Sequence, residues 1–85
     1  MKRLIEQVEG EGLESLLGEQ VEIWCCRYIY AGKLTGVNDK DILLANASIV
    51  YETGSFDESG YSDSQKLPYP KYIRIDSIES YNKAL

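Results

Sequence analysis

The sequence predicts a mainly β fold, in which a short helix precedes a small set of antiparallel strands. From Gln20 onward, apolar and polar residues alternate with a period of two, which is typical of half-buried strands. Gly32 and Gly36 lie within the second of these strands, and a strand that closes a small barrel needs glycines where its curvature is high. Short apolar segments around Ile73 and Ile78 predict two last strands. We therefore expect a strongly bent, five-stranded antiparallel barrel.

The length and composition of the chain predict one small domain spanning residues 1–85. A chain of 85 residues buries only about 60–65% of its unfolded surface, so association with copies of itself would add stability. No apolar run approaches the roughly 18 residues of a membrane span. Glu6 and Glu9 interrupt the apolar start, so no signal peptide is predicted. We expect a cytoplasmic protein with no membrane partner.

The N-terminal part of the chain predicts a helix over residues 12–17. Leu13, Leu16 and Leu17 have helical spacing, and Gly18 follows them as a C-terminal cap. The leucine face of this helix is expected to cover one open end of the barrel.

Residues 20–51 predict three long strands. Val21 and Ile23 begin the alternation of the first strand, and residues 28–37 form the second. Asn38-Asp39-Lys40 has the composition of a turn. Residues 41–51 form a third strand whose start is apolar on both faces, which favours burial on both sides.

The rest of the chain predicts an acidic loop and two short strands. Residues 52–66 are rich in serine, glycine and acids and predict an extended, mobile loop that folding does not need, or else a solvated hairpin tip. Residues 69–81 hold the two last strands. Tyr61 and Tyr69 could pack on the strands or line the surface for a partner.

The distribution of charge along the chain limits the kinds of ligand that the protein can bind. The net charge of −5 argues against a generic nucleic-acid binder. The acids are concentrated in residues 1–19 and 52–66, which leaves the predicted strands nearly neutral. Such a barrel can still present positive potential where copies of Lys40 or Arg74 converge.

The residue types exclude most enzyme chemistry. The chain has no histidine, so it lacks a histidine general base and a cysteine–histidine nucleophile pair. Cys25 and Cys26 are adjacent, so they point to opposite faces of a strand, and we expect two reduced thiols, the alternative being a vicinal disulfide or a metal site. Two thiols without histidine cannot assemble the usual zinc ligand sets. We therefore expect no enzyme activity, no metal and no cofactor.

Two segments together resemble the signature motifs of the Sm-like proteins. Gly32, Leu34, Gly36 and Asn38 stand at the places of the first motif, and the spacing from Asn38 to Leu44 has no gap against the bacterial, Hfq-like branch. The segment Ile73-Arg74-Ile75-Asp76-Ser77-Ile78 resembles the second motif. The resemblance covers residues 13–51 and 69–81 and is typical of a short bacterial or phage member.

The resemblance implies an Sm-like barrel that assembles edge to edge into a ring of five to seven copies. Many such rings bind single-stranded RNA at the central opening, and the matching positions here are Asn38, Lys40 and Arg74. Lys40 replaces the side chain on which a base stacks, Asn38 replaces an aspartate, and Ile75 replaces a glycine. A lysine contacts phosphate as a point charge and carries no base information.

Several alternatives remain open at the level of sequence. The fold could instead be a monomeric SH3-like barrel or a small OB-fold. A ring could have lost RNA binding and serve as a structural or protein-interaction module, which the acidic loop and Lys40 favour. Arg74 could simply pair with Asp76, and Lys40 could be a solvated turn residue.

Overall fold

The protein is a six-stranded antiparallel sheet in the computed structural model, which describes residues 12–55 and 60–84. This confirms the predicted all-β class, with one strand more than expected. The strands are β1 (Gln20–Cys25), β2 (Ile29–Val37), β3 (Asp41–Glu52), β4 (Asp63–Lys66), β5 (Lys71–Arg74) and β6 (Ile78–Lys83).

The sheet has the strand order β4-β3-β2-β1-β6, and β5 also pairs with β3. Since β2 occupies one edge of β3 along most of its length, β4 and β5 share the other edge, β5 beside the start of β3 and β4 beside its end. Only a 3-10 helix, Ile75–Ser77, joins β5 to β6. This short link holds the two ends of the sheet near each other.

The core lies on one face of the strands, as the alternation predicted. Val21 and Ile23 of β1 are fully buried, and so are Leu34 of β2 and Leu44 of β3. Ile42, Ala47 and Ile73 complete the buried cluster. The Ile42-Leu43-Leu44 segment is buried at its first and third residues and half-buried at Leu43, which points to the other face.

The prediction of an α-helix over residues 12–17 was wrong, because this segment is a four-residue 3-10 helix, Leu13–Leu16. Gly12 before it and Gly18 after it have positive φ angles of 81° and 88°, so the helical segment has room for one turn only. Leu13 and Leu16 still pack against the core, whereas Leu17 is exposed. Within residues 12–55 and 60–84, no helix is long and apolar enough to cross a membrane.

The prediction of a loop over residues 52–66 was wrong at its end, where β4 pairs with β3 as the second strand of a hairpin. All four residues of β4 are exposed and polar. Backbone hydrogen bonds hold β4 in place, and none of its side chains is buried. Its sequence therefore lacks the alternation of apolar and polar residues by which a strand is recognised. The alternative of a solvated hairpin is nearer to the structure, although residues 56–59 lie outside the described ranges.

A β-bulge bends β3 where it passes Gly32 of β2. The register shifts between Ala31 and Lys33, and Asn46 of β3 adopts a positive φ of 50°. A Cβ atom on Gly32 would lie only 2.9 Å from the carbonyl oxygen of Ala45. Glycine at this position therefore permits a strand approach that no other residue allows, in agreement with the bending predicted from Gly32.

Candidate nucleic-acid interface and the polar network

The turn between β2 and β3 is closed by Asn38. Its side-chain Oδ1 accepts hydrogen bonds from the backbone N–H groups of Lys40, at 2.8 Å, and Asp41, at 2.7 Å. Its own N–H donates to the carbonyl of Asp41 at 3.0 Å. Asparagine favours such turns because its side chain imitates a backbone acceptor. The carboxamide oxygen of Asn38 is thus used within the turn.

The structure brings the two motif segments together at one corner of the sheet. The N–H of Ile75 donates to the carbonyl oxygen of Lys40 at 2.7 Å, and Arg74 lies opposite Asp41 in the register of β5 and β3. Lys40 and Ile75, which are 35 positions apart in the sequence, are therefore neighbours in the structure. We call Asn38, Lys40 and Arg74, with the backbone that joins them, the basic corner.

The electrostatics of the basic corner are balanced by acids. The guanidinium of Arg74 pairs with the carboxylate of Asp76 at 3.2 Å, and the two side chains are 75% and 71% exposed. Asp39 and Asp41 flank Lys40 in the turn. An exposed pair of this kind contributes at most about 1 kcal/mol, so Arg74 can exchange Asp76 for another anion at low cost.

A second polar arrangement was not anticipated from the sequence. Glu22 of β1 accepts a hydrogen bond from the hydroxyl of Tyr61 at 2.9 Å and another from the Nδ2 of Asn82 at 2.9 Å. A cavity of about 240 Å³ lies beside these groups. Tyr61 is 39 positions and Asn82 is 60 positions from Glu22 in the sequence, and only the sheet topology brings them together.

A cluster of tyrosines lies near the start of β2 and β5. The rings of Tyr28 and Tyr30 meet edge to face at a centroid distance of 6.3 Å. The ammonium of Lys71 lies 5.6 Å from the ring centroid of Tyr30 and 6.0 Å from that of Tyr69. Burial is the main cause that raises the pKa of Tyr30. Tyr69, which sequence analysis considered as a partner contact, is half exposed here.

The two cysteines are free thiols, as expected. Cys25 is half-buried and Cys26 is exposed. Burial, followed by the neighbouring Cys26 and Glu79, raises the pKa of the Cys25 thiol. Cys25 is therefore a poor nucleophile near neutral pH.

Comparison with known proteins adds no family assignment, because no family model matches the chain and no curated protein matches it.

We expect the protein to lose stability as the pH rises above about 9. The pKa of Tyr61 is raised from 10.0 by burial first and then by its hydrogen bond to Glu22, and those of Cys25 and Tyr30 are also raised. A group with a raised pKa stabilises the folded state fully below its unfolded pKa, and this stability is lost as the pH rises through the folded pKa. The measurement is urea unfolding at pH 7.5 and pH 10.

Tyr61→Phe should lower the free energy of unfolding by about 1 kcal/mol at pH 7.5 and make it depend less on pH between 9 and 11. The matched control is Tyr51→Phe, since the Tyr51 hydroxyl donates only a 3.3 Å bond to the exposed Gln65. Equal effects of the two substitutions would show that the bond to Glu22 has no special role.

Proposed function

We propose that this chain is a ring-forming module of the Sm-like type, whose basic corner contacts single-stranded RNA at a central opening. The observation that carries the proposal is the 2.7 Å hydrogen bond between the N–H of Ile75 and the carbonyl of Lys40. It joins the turn of the first motif segment to the junction of the second. The order of the strands supports the same assignment, with β4 as an added arm beside the five expected strands.

The barrel part of the proposal rests on the path of the sheet. The sheet ends at β5 on one side and at β6 on the other, and only residues Ile75–Ser77 separate these two strands. A flat sheet of five strands would hold its outer strands about 19 Å apart, since neighbours are spaced by about 4.8 Å. The four Cα-to-Cα steps from Arg74 to Ile78 span at most about 14 Å, which supports a sheet that curls until its ends approach.

The ring part of the proposal rests on two strand edges that pair with no strand within residues 12–55 and 60–84. Because Ile75 bonds Lys40, the alternation of an antiparallel pair directs the N–H of Tyr72 away from β3. In the same way, the bond from the N–H of Ala84 to Gln20 directs the N–H of Lys83 away from β1. Proteins normally cover or pair such edges. Pairing β5 of one copy with β6 of the next is a head-to-tail contact, which gives a ring when the rotation closes. The resemblance to Sm-like proteins implies five to seven copies.

RNA binding follows from repetition of the basic corner around the ring. Each copy would present one lysine and one arginine that exchanges partners easily. Several weak contacts in one particle act at high effective concentration, so their joint affinity exceeds that of one copy. Arg74 is the member of the corner that can form paired hydrogen bonds to a base or phosphate, whereas Lys40 supplies charge.

A second candidate function is a ring that binds protein and not RNA. The observation that favours it is the acidic surrounding of the basic corner, where Asp39, Asp41 and Asp76 outnumber the two cations. Repetition around a ring would multiply these negative charges as well.

The deciding experiment titrates labelled uridine-rich and adenine-rich oligonucleotides with the protein at about 50 and 200 mM salt. Arg74→Ala should abolish binding. Lys40→Ala should weaken binding about equally for all sequences and flatten its salt dependence, as expected for a lost phosphate contact. Lys40→Tyr should strengthen binding, because stacking contributes about 1–3 kcal/mol per base.

The control is Asp76→Asn, which leaves the cations in place and frees Arg74 from its partner. We expect it to bind RNA more tightly than the unaltered protein. An absence of binding by the unaltered protein at the lower salt would favour the protein-interaction ring. Binding that survives Arg74→Ala unchanged would place any RNA site elsewhere on the surface.

A further inference from the structure

The cavity beside Glu22 is a separate site, because none of the residues of the basic corner lines it. It lies on the face of the sheet opposite the core. Glu22 stands opposite Ala31 in the register of β1 and β2, and Ala31 stands opposite Ser48 in that of β2 and β3, so the three side chains share this face. The cavity exists because the small side chain of Ala31 lies between Glu22 and Ser48 on this face, and Tyr61 forms part of the cavity wall.

The carboxylate of Glu22 retains unused acceptor capacity. A carboxylate offers about four acceptor positions, and Tyr61 and Asn82 occupy two of them, one on each oxygen. Both donors are neutral. The ion pairs found in residues 12–55 and 60–84 join Arg74 to Asp76 and Lys83 to Glu19, and neither involves Glu22. The half-buried negative charge of Glu22 therefore has no cationic partner in the described part of the chain.

The remaining walls supply neutral oxygen atoms and apolar surface. Gln20, Asn46 and Ser48 bring amide and hydroxyl groups to the cavity, and Ala84 brings an aliphatic one. Val21 also lies beside the cavity, but its side chain is buried in the core on the other face of the sheet. No lysine or arginine is among the described lining residues. Lys66 lies opposite Ser48 on β4, but it is exposed and outside the lining. The chemistry therefore excludes anions and suits a ligand that donates hydrogen bonds and carries positive charge.

We infer that this cavity binds a small primary aliphatic amine, with its ammonium group on Glu22 and a polar far end toward Ser48. An ammonium donates three hydrogen bonds and accepts none, which matches a carboxylate surrounded by amide and hydroxyl oxygens. Glu22 and Ser48 are two strand spacings apart, about 10 Å, so an extended molecule of a few carbons spans them. Calcium and magnesium are excluded because they need more carboxylate and carbonyl ligands than a site with one acid offers.

The test titrates the full-length chain, uniformly labelled with 15N, with 4-aminobutan-1-ol and follows amide chemical shifts. We expect saturable shifts at Glu22, Gly32, Ser48 and Tyr61, with an affinity on the order of millimolar. 1,4-Butanediol has the same size and one polar group at each end but no charge, and it should bind at least about tenfold more weakly. Equal binding of the two compounds would overturn the assignment of an ammonium site.

Glu22→Gln keeps the shape and one acceptor oxygen for Tyr61, and it removes the charge and the second oxygen that Asn82 uses. Affinity for the amine should therefore fall by about tenfold or more. The control Glu79→Gln removes one exposed acid outside the cavity and should leave affinity unchanged. If both variants lose affinity equally, the amine binds only through the general negative charge of the protein. If Glu22→Gln does not fold, the binding of Ser48→Ala is measured instead. We expect about two- to threefold weaker binding of the amine. Unchanged binding would contradict a far end of the ligand placed at Ser48. None of these outcomes depends on whether RNA binds.

Discussion

Replacing Gly32 with alanine is expected to lower the free energy of unfolding by about 2–3 kcal/mol. The added Cβ would lie 2.9 Å from the carbonyl oxygen of Ala45, 3.2 Å from the Cα of Ala47 and 3.2 Å from the Cβ of Leu44. Two of these neighbours are backbone atoms, which cannot turn aside as a flexible side chain can. The two strands would have to separate at the bulge, where the buried Leu44 and Ala47 belong to the core.

The matched control is Gly36→Ala in the same strand. A Cβ there would meet only the Cβ of Leu43, at 3.4 Å, which is ordinary contact. We expect a change below about 1 kcal/mol, with part of any loss offset by the lower entropy of the unfolded chain. Urea unfolding at one fixed protein concentration measures both variants, because association would also shift the midpoint. Equal losses for the two would show that the bend does not depend on the close approach at Gly32.

If copies of the chain pair through β5 as proposed, Tyr72→Pro is expected to leave the protein monomeric and its fold intact. Tyr72 is in the middle of β5, its side chain is 70% exposed, and its N–H points to the free edge. Proline at this position removes a donor that faces away from β3 and that no residue of the described ranges accepts from, and proline is tolerated on edge strands for that reason. A neighbouring copy that pairs with this edge would lose a ladder hydrogen bond and meet the proline ring.

Sedimentation velocity and native mass spectrometry measure the particle, and circular dichroism measures the fold. Tyr72→Thr is the control, because it removes the ring but keeps both the N–H and a residue that favours strands. We expect Tyr72→Thr to remain assembled. Loss of assembly in both variants would assign the contact to the tyrosine ring, and assembly that survives Tyr72→Pro would show that this edge is not the interface.

The strands that bury one face could be predicted from the sequence because burial leaves a period in the chain. Val21 and Ile23 alternate with polar residues, and the same pattern locates β2 and β3. β4 could not be predicted in this way, since Asp63 to Lys66 buries no side chain and is held by backbone bonds to β3. The α-helix was predicted from leucine spacing alone, whereas the two flanking glycines limit the segment to one 3-10 turn.

The basic corner could be anticipated only because a family pattern linked Lys40 to Arg74 across the intervening sequence. The structure places their backbones together, but it also shows that Asn38 serves the turn and that Asp76 pairs with Arg74. The Glu22 cavity had no comparable signal. Glu22 is one of several acids at polar positions of strands, and its partners Tyr61 and Asn82 come from distant segments that only the strand order aligns.

One edge of β3 is divided between two strands, so a change in β4 need not disturb the pairing of β5. The arm formed by the end of β3 with β4 lies beyond the stretch Asp41–Leu44 that holds β5. Insertions or deletions between β3 and β4 are expected to change the length of this arm without changing the register of β5 on β3. The length of this arm can therefore vary independently of the strand pairs that enclose the core.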